Sequence, residues 1–180
     1  MAHVRKANRG PSAAAANRAA LVTAARELFA TTGFDAPLSA VARRAGVGQG
    51  SLYRHFPDRA SLALAVFEGN VAELESLAAE PATTLDDLFA RIIEQTVASV
   101  AFLDMVTSAD ERMAAVRHRV TGLLAAKLDQ ARRDGAVRAD VTTGDLLLVI
   151  GMLAGMLKRT PATDLAAVAA RAWTLLRRAI

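Results

Sequence analysis

Apolar residues recur along this chain at the spacing of one helix face, i, i+3, i+4 and i+7, through nearly its whole length. Asn17 is a good cap residue, and Leu21, Ala24, Ala25, Leu28 and Phe29 follow it in that rhythm, so a first helix is predicted from Asn17 to the stop at Gly33. Leu38, Val41, Ala42 and Ala45 predict a short second helix ended by Gly46. A third runs from about Gln49 to His55 and is broken by Pro57. Asp58 caps a long fourth helix with Leu64, Phe67, Val71, Leu74 and Ala78 as its apolar stripe, ended by Pro81 and the Thr83–Thr84 pair. The fifth helix has the strongest periodicity, through Leu85, Leu88, Phe89, Ile92, Ile93, Thr96, Val97 and Val100. Ser108 and Glu111 have capping-box spacing and open a helix with Met113, Val116, Val120, Leu123, Leu124 and Leu128 on one face, closed by Gly135. Thr142 or Thr143 caps an apolar helix to about Leu157. Thr163 and Asp164 open the last one, with Leu165, Val168, Ala169, Ala172, Leu175 and Leu176 inward. Neither a period-two strand nor an internal repeat is found, so the predicted fold is all-α.

Composition agrees and narrows the chemistry. The chain has 180 residues, 53% hydrophobic and only 4% aromatic, and its apolar mass is Ala, Leu and Val. That length suffices for one large domain or two small ones. There is no cysteine, which removes disulfides, thiolate metal sites and a cysteine nucleophile together. His3, His55 and His118 are far apart, so no metal site is expected, and nothing calls for a cofactor. An enzyme would need a nucleophile, a base or a metal. No Ser/His/Asp or Glu-x-x-His arrangement is present, and Glu73 and Glu75 read as solvated charges on a polar helix face, so no catalytic residue is assigned. The longest strongly apolar run, Leu146–Leu157, is about half of what a membrane span needs. Met1–Ala16 lacks the apolar core of a secretory signal, so a soluble, cytoplasmic protein with no membrane partner is expected.

The net charge of +4 hides a division. Residues 1–60 carry 9 Lys and Arg against 3 Asp and Glu, whereas residues 61–180 carry 13 against 15. Between Ser61 and Ala90 there is no Lys or Arg at all. Only the front of the chain is suited to meet a polyanion.

That basic front contains the most informative stretch, Leu38 to Phe56. Leu38, Val41, Ala42, Ala45, Val47, Leu52 and Phe56 can share one small core, and Gly46 can take positive φ at the turn between two short helices. Gln49, Ser51, Tyr53, Arg54 and His55 are then left outside, all hydrogen-bonding groups on one short helix. A helix of that kind fits the major groove of B-DNA, where its first residues reach base edges. By itself the pattern fits equally a helical hairpin with a solvated polar face.

Three linked pieces carry a resemblance: Ala25-Arg-Glu-Leu-Phe-Ala-Thr-Thr-Gly-Phe34, then Val41-Ala-Arg-Arg-Ala-Gly-Val-Gly-Gln-Gly-Ser-Leu-Tyr-Arg-His-Phe56, then Pro57-Asp-Arg-Ala-Ser-Leu62. In this order and spacing, over about residues 17–66, the sequence resembles the TetR family of bacterial transcriptional regulators. Residues 67–180 match only as a run of helices. The resemblance implies an N-terminal three-helix DNA-binding bundle with a helix-turn-helix and a C-terminal helical ligand-binding and dimerisation domain, about nine helices in all. The expected divisions are a flexible basic arm at 1–16, the DNA-binding domain at 17–60, and an effector-binding and dimerisation domain at 61–180.

The resemblance also assigns roles. Gln49, Gly50, Ser51 and Arg54 lie on the recognition helix, with Gln49 and Arg54 as base readers. Tyr53 and His55 match positions that touch phosphates, Arg59 one that contacts the DNA backbone, and Ser39 one that reaches a base or phosphate. Tyr53 as a half-buried packing residue and His55 as a cap of its own helix are the plainer readings, and Arg43 and Arg44 are peripheral. Two residues depart from the family pattern. Pro37 stands where Thr usually caps the second helix, and Gln49 where Lys is common, which implies a shallower salt dependence of DNA binding. Arg5, Lys6 and Arg9 of the arm either enter a minor groove or belong to an inert tail.

A single short recognition helix reads few bases, so such modules act in pairs on a palindromic double-stranded operator. A homodimer through helices at about 143–158 and 163–179 is expected, with Gly151-x-x-x-Gly155 allowing close approach; filling the monomer core is the plainer role for these helices. A small, mostly apolar effector is expected among Phe89, Ile93, Thr96, Val97, Met105, Met113, Val116, His118, Met152 and Met156, each of which is also explicable as ordinary core. The function implied is a ligand-responsive regulator, a repressor released by its effector. A DNA-binding dimer without an effector and, more remotely, an all-α enzyme are the rival readings.

Overall fold

The computed structural model describes residues 11–98, 111–161 and 163–177. Among these it contains eight α-helices: α1 Pro11–Thr32, α2 Leu38–Arg44, α3 Gln49–His55, α4 Arg59–Ala79, α5 Leu85–Ala98, α6 Glu111–Arg133, α7 Thr143–Leu157 and α8 Leu165–Leu176. The chain divides into two compact units between Val66 and Phe67. No described helix is long and apolar enough to cross a membrane.

In the first unit α1 packs on both α2 and α3. Leu21, Ala24, Ala25 and Phe29 of α1 are buried, as are Val41 and Ala42 of α2, Leu52 of α3, and Phe56 just after it. The helix expected from Asn17 begins instead at Pro11. The run Ala13–Ala16 has the highest intrinsic helix propensity, and proline is well tolerated in a first turn, where its missing N–H has no partner to lose. The turn between α2 and α3 is a Schellman closure. Gly46 has φ +64, its N–H donates to the Arg43 carbonyl at 3.1 Å, and the Val47 N–H donates to the Ala42 carbonyl at 2.9 Å. This reverses the chain within three residues of the last turn of α2 and tucks Val47 into the core.

In the second unit α5 touches α6, α7 and α8, and α7 touches α6 and α8. Leu85, Leu88, Phe89, Ile92 and Ile93 form the buried face of α5, as the periodicity predicts. They meet Leu124 and Leu128 of α6 and Leu146, Val149, Leu153 and Leu157 of α7 in one core. Thr142 caps α7 in a reciprocal capping box with Asp145: the Asp145 N–H donates to Thr142 Oγ1 at 3.2 Å, and the Thr142 N–H donates to Asp145 Oδ2 at 2.7 Å. Thr84 and Asp87 form the same box at the start of α5, so Thr84 opens a helix, whereas the pattern had it ending one.

Two stripes differ from expectation. On α4 the buried positions run through Leu62, Val66, Asn70 and Leu74, while Leu64 and Phe67 are only half-buried. On α8 Leu175 faces outward, 50% exposed, where an inward position was expected. The capping box expected from Ser108, the periodic Val100 and the arm residues Arg5, Lys6 and Arg9 lie outside the described residues.

An L side chain at Gly46 forces a left-handed conformation at the sharpest turn of the first unit. Gly46→Ala is therefore expected to cost that unit about 1–2 kcal/mol, seen as a lower urea midpoint and earlier loss of amide protection in α2 and α3.

Candidate nucleic-acid interface

Helix α3 is seven residues long, too short to be stable on its own. It is held from one side. Leu52 is 1% exposed and Phe56 2% exposed, and the Arg18 guanidinium from α1 lies 5.2 Å from the Phe56 ring centroid. With that face committed to the core, Gln49, Gly50, Tyr53 and Arg54 are exposed together, and Ser51 and His55 are half-buried beside them. Tyr53 is 53% exposed, so the packing role considered for it does not describe its position. His55 lies with its ring centroid 6.3 Å from that of Phe56. A β-carbon at Gly50 would meet nothing within 4 Å. Ser39 is exposed on α2. Pro37 occupies the N-cap position of α2 with no side-chain cap bond, and its carbonyl accepts from the N–H groups of Ala40 and Val41.

Arg59 is disposed differently from the other assigned residues. Its Nη1 donates to the Phe34 carbonyl and, at 2.6 Å, to the Ala36 carbonyl, and its guanidinium lies 5.4 Å from the Phe34 ring centroid. It is partly buried against the loop between α1 and α2. Nothing in the local sequence signals this, since the partners lie 25 and 23 residues away.

A compact bundle with a glycine turn between two short helices, the second presenting a polar face, is the arrangement of a helix-turn-helix. The family described as bacterial regulatory proteins, tetR family, matches residues 21–66. The C-terminal domain of the SbtR-like transcriptional regulators matches residues 80–178. The chain belongs to the TetR family. Among solved structures, a TetR transcriptional regulator from Streptomyces coelicolor is 31% identical; the match covers 90% of this chain and 97% of that one with a TM-score of 0.68. A TetR regulatory protein from Mycobacterium vanbaalenii is 28% identical over 82% of this chain and 95% of its own, with a TM-score of 0.65. A third structure, described as the molecular basis for control of antibiotic production by a bacterial hormone, is 26% identical over 94% and 96%, with a TM-score of 0.60. No curated protein matches the chain. The TetR family comprises DNA-binding transcriptional regulators, not enzymes.

In this TetR-family chain the candidate effector residues do not share one environment. Phe89, Ile93, Met113 and Val116 are buried, and Phe89 is stacked on Trp173 with centroids 4.6 Å apart and ring planes 10° from parallel. Thr96 and Val97 are half-buried, and Thr96 Oγ1 donates back to the Ile92 carbonyl. His118, Met152 and Met156 are exposed, and Met105 lies outside the described residues. An open groove of about 420 Å³ is lined by other residues: Leu77, Glu80, Ala82, Thr83, Asp87, Ala90, Arg91 and Glu94. Among the described residues no group of three or more His, Cys, Asp or Glu is arranged to hold a metal.

Glu73 and Glu75 are not simply solvated, as the sequence suggested. Two residues apart on a helix, they point to opposite sides of α4. Glu73 meets Arg91 of α5 at 2.7 Å, and Glu75 takes two hydrogen bonds from Arg119 of α6, at 2.8 and 2.6 Å. Lys127, 7% exposed, donates its Nζ to the Thr83 carbonyl at 2.7 Å and so ties α6 to the turn before α5.

The hydrogen bonds from Arg119 hold the Glu75 carboxyl below the ordinary carboxylate range, and those from Thr84 and Thr142 do the same for Asp87 and Asp145. A lowered folded pKa adds stability that is complete above the unfolded value, near pH 4, and is lost as pH falls through the folded one. The second unit should therefore lose stability below about pH 4. Glu75→Gln should be only slightly less stable than the natural protein at pH 7, because the pair is exposed, with the small gap in urea midpoint closing at pH 3.

Proposed function

We propose that this TetR-family regulator is a cytoplasmic homodimeric repressor. Its two α3 helices enter successive major grooves of a palindromic operator, and a small, mostly apolar effector releases it. The observation that carries the DNA part is the divided surface of α3, with Leu52 sealed in the core and Gln49, Gly50, Tyr53 and Arg54 left exposed as a continuous polar strip beside it. Gln49 and Arg54 are the base readers, Tyr53, His55 and Ser39 the backbone contacts, and Gly50 and Ser51 the part of the helix that lies closest to the groove.

Dimerisation is supported by α7. Its inner residues are buried, while Leu148 is 61% exposed and Met152 50% exposed on its outer side, with Leu175 of α8 also 50% exposed. Gly151 and Gly155 lie on that outer side with nothing within 4 Å of an added β-carbon, leaving room for a second backbone. Met152 and Met156 fit this dimer face better than an effector pocket. The effector is supported by the bacterial-hormone context of one similar structure. On this reading it acts through α4, which begins at Arg59 in the first unit and continues to Ala79 in the second. Coupling of about 1–3 kcal/mol is the usual scale for such regulation. One observation favours the effector-free alternative: Phe89, the largest candidate lining residue, is fully buried and stacked on Trp173.

The deciding experiment is footprinting on the DNA upstream of the protein's own gene. Protection of an inverted repeat, lost on adding an apolar extract of the source cells, supports the whole proposal. Protection that no extract relieves supports the effector-free dimer, and absence of protection on any inverted repeat overturns the operator assignment. Arg54→Ala is expected to relax specificity at one base position by about 1–3 kcal/mol, measured by competition against single-base operator variants. Met152→Asp is expected to sediment as a monomer while keeping its helical spectrum, and to lose operator affinity with it.

A further inference from the structure

We infer that Arg59 is a positioning residue of the recognition unit: by clamping the Phe34 and Ala36 carbonyls and lying over the Phe34 ring, it sets the seat of α2 and hence of α3, instead of neutralising a DNA phosphate. The inference rests on the DNA-binding reading above and changes the role that the family resemblance gives to this residue.

The loop from Gly33 to Pro37 must deliver α2 to a fixed place, and it has few means of its own. Its N-cap residue is Pro37, which has no hydroxyl to bond the first turn and makes no side-chain cap bond. The Ala36 N–H closes a local turn on the Gly33 carbonyl at 3.1 Å. Ala36 itself is 1% exposed, and a carbonyl beside a buried residue needs a donor. Arg59, in the first turn of α4, is the donor. One nitrogen, Nη1, serves both Phe34 and Ala36, so two carbonyls two residues apart are turned to the same side. The guanidinium also sits within cation–π reach of the Phe34 ring, 5.4 Å from its centroid. Phe34 in turn lies against Phe29 at 5.7 Å, and Phe29 is 1% exposed in α1. The charge is thus bonded to loop backbone on one side and to an aromatic pair rooted in the core on the other.

A phosphate contact and a loop clamp make different demands. A phosphate is satisfied by any flexible cation, lysine included. Two convergent carbonyls with an aromatic face suit the planar guanidinium, which donates in its plane while stacking through its face. The side chain hydroxyl that usually caps α2 in this family is the one that Pro37 replaces, so the entry to α2 depends on Arg59 for its side-chain anchor.

The test compares Arg59→Lys and Arg59→Met with the natural protein, well below their unfolding temperatures. Hydrogen exchange on the free protein is the first readout, using the Ala40 and Val41 amides that bond the Pro37 carbonyl. Both variants should exchange there at least about tenfold faster, the scale of losing a hydrogen bond to a charged group, with amides of α5 and α6 unchanged. Binding to the operator and to random DNA across a salt series is the second. For Arg59→Met the operator affinity should fall about tenfold or more, the ratio of operator to random binding should fall with it, and the slope of log K against log salt should stay that of the natural protein. Arg59→Lys should not restore the ratio.

Unchanged exchange at Ala40 and Val41 overturns the clamp. So does a slope reduced by about 0.9, the value of one phosphate, with operator and random DNA weakened equally and lysine restoring both. Should the natural protein bind no DNA selectively, the operator reading fails, and the exchange result alone still decides whether Arg59 seats α2.

Discussion

A seven-residue helix cannot stand unaided, and the second helix of this TetR-family helix-turn-helix is one. The consequences reach through the whole first unit. Helix α3 must be gripped along one side, so Leu52 and Phe56 go into the core, and the opposite side is necessarily left to solvent or a partner. The grip must also come from elements with independent support. The 22-residue α1 supplies Leu21, Ala25 and Phe29 from below and Arg18 over Phe56. Helix α2 is equally short and is held in turn by the Gly46 closure at its end and the Arg59 contacts before its start. Recognition chemistry on α3 is therefore only as well placed as the two joints that flank α2.

The second unit meets a different problem. Its helices are mostly 14 residues or longer and bury a continuous apolar core, so stability is not scarce, but their mutual placement needs specificity. Hydrophobic contact is poorly directional, and charge supplies the direction. Glu73 and Glu75 leave α4 on opposite sides to Arg91 and Arg119, and Lys127 spends its ammonium on a single turn carbonyl. Pairs as exposed as these contribute little net stability, yet they fix the register of α4 against two neighbours. The acidic run that keeps positive charge concentrated in the first 60 residues thus has a second use inside its own unit.

The elements were legible in the sequence where a local rule applied. Gly46, Gly33 and Gly135 all have positive φ at helix ends, where the pattern put a stop, and the α5 stripe is buried residue for residue from Leu85 to Ile93. The helix-turn-helix was legible because its whole logic lies within some twenty consecutive positions. What was not legible depends on partners distant in sequence or on propensity overriding a cap. Arg59 reaches back across more than twenty residues, and Glu75 meets Arg119 across 44. Asn17 looks like a cap, but the alanines before it continue the helix to Pro11. Periodicity finds an apolar face without saying what covers it, which is why Leu175 and Met152 read as inward or pocket-lining and are exposed.

Glycines that the fold itself does not use make the same point from the other direction. Gly50 in α3 and Gly151 in α7 have helical backbone, and a β-carbon on either would meet nothing within 4 Å. In a helix each costs about 1 kcal/mol relative to alanine, and no contact among the described residues requires the missing side chain. At Gly33, Gly46 and Gly135 the backbone requires the residue; at Gly50 and Gly151 it does not, nor at Gly122 and Gly155, which are equally open. Gly50 lies on the face that the DNA reading assigns to the major groove, Gly151 on the face assigned to a second copy, beside Leu148 and Met152. On the proposed reading a helix surface without a side chain admits a partner's backbone at these two positions about as closely as two molecules can approach, whereas Gly122, equally open and on neither face, shows that an open glycine alone does not mark a contact.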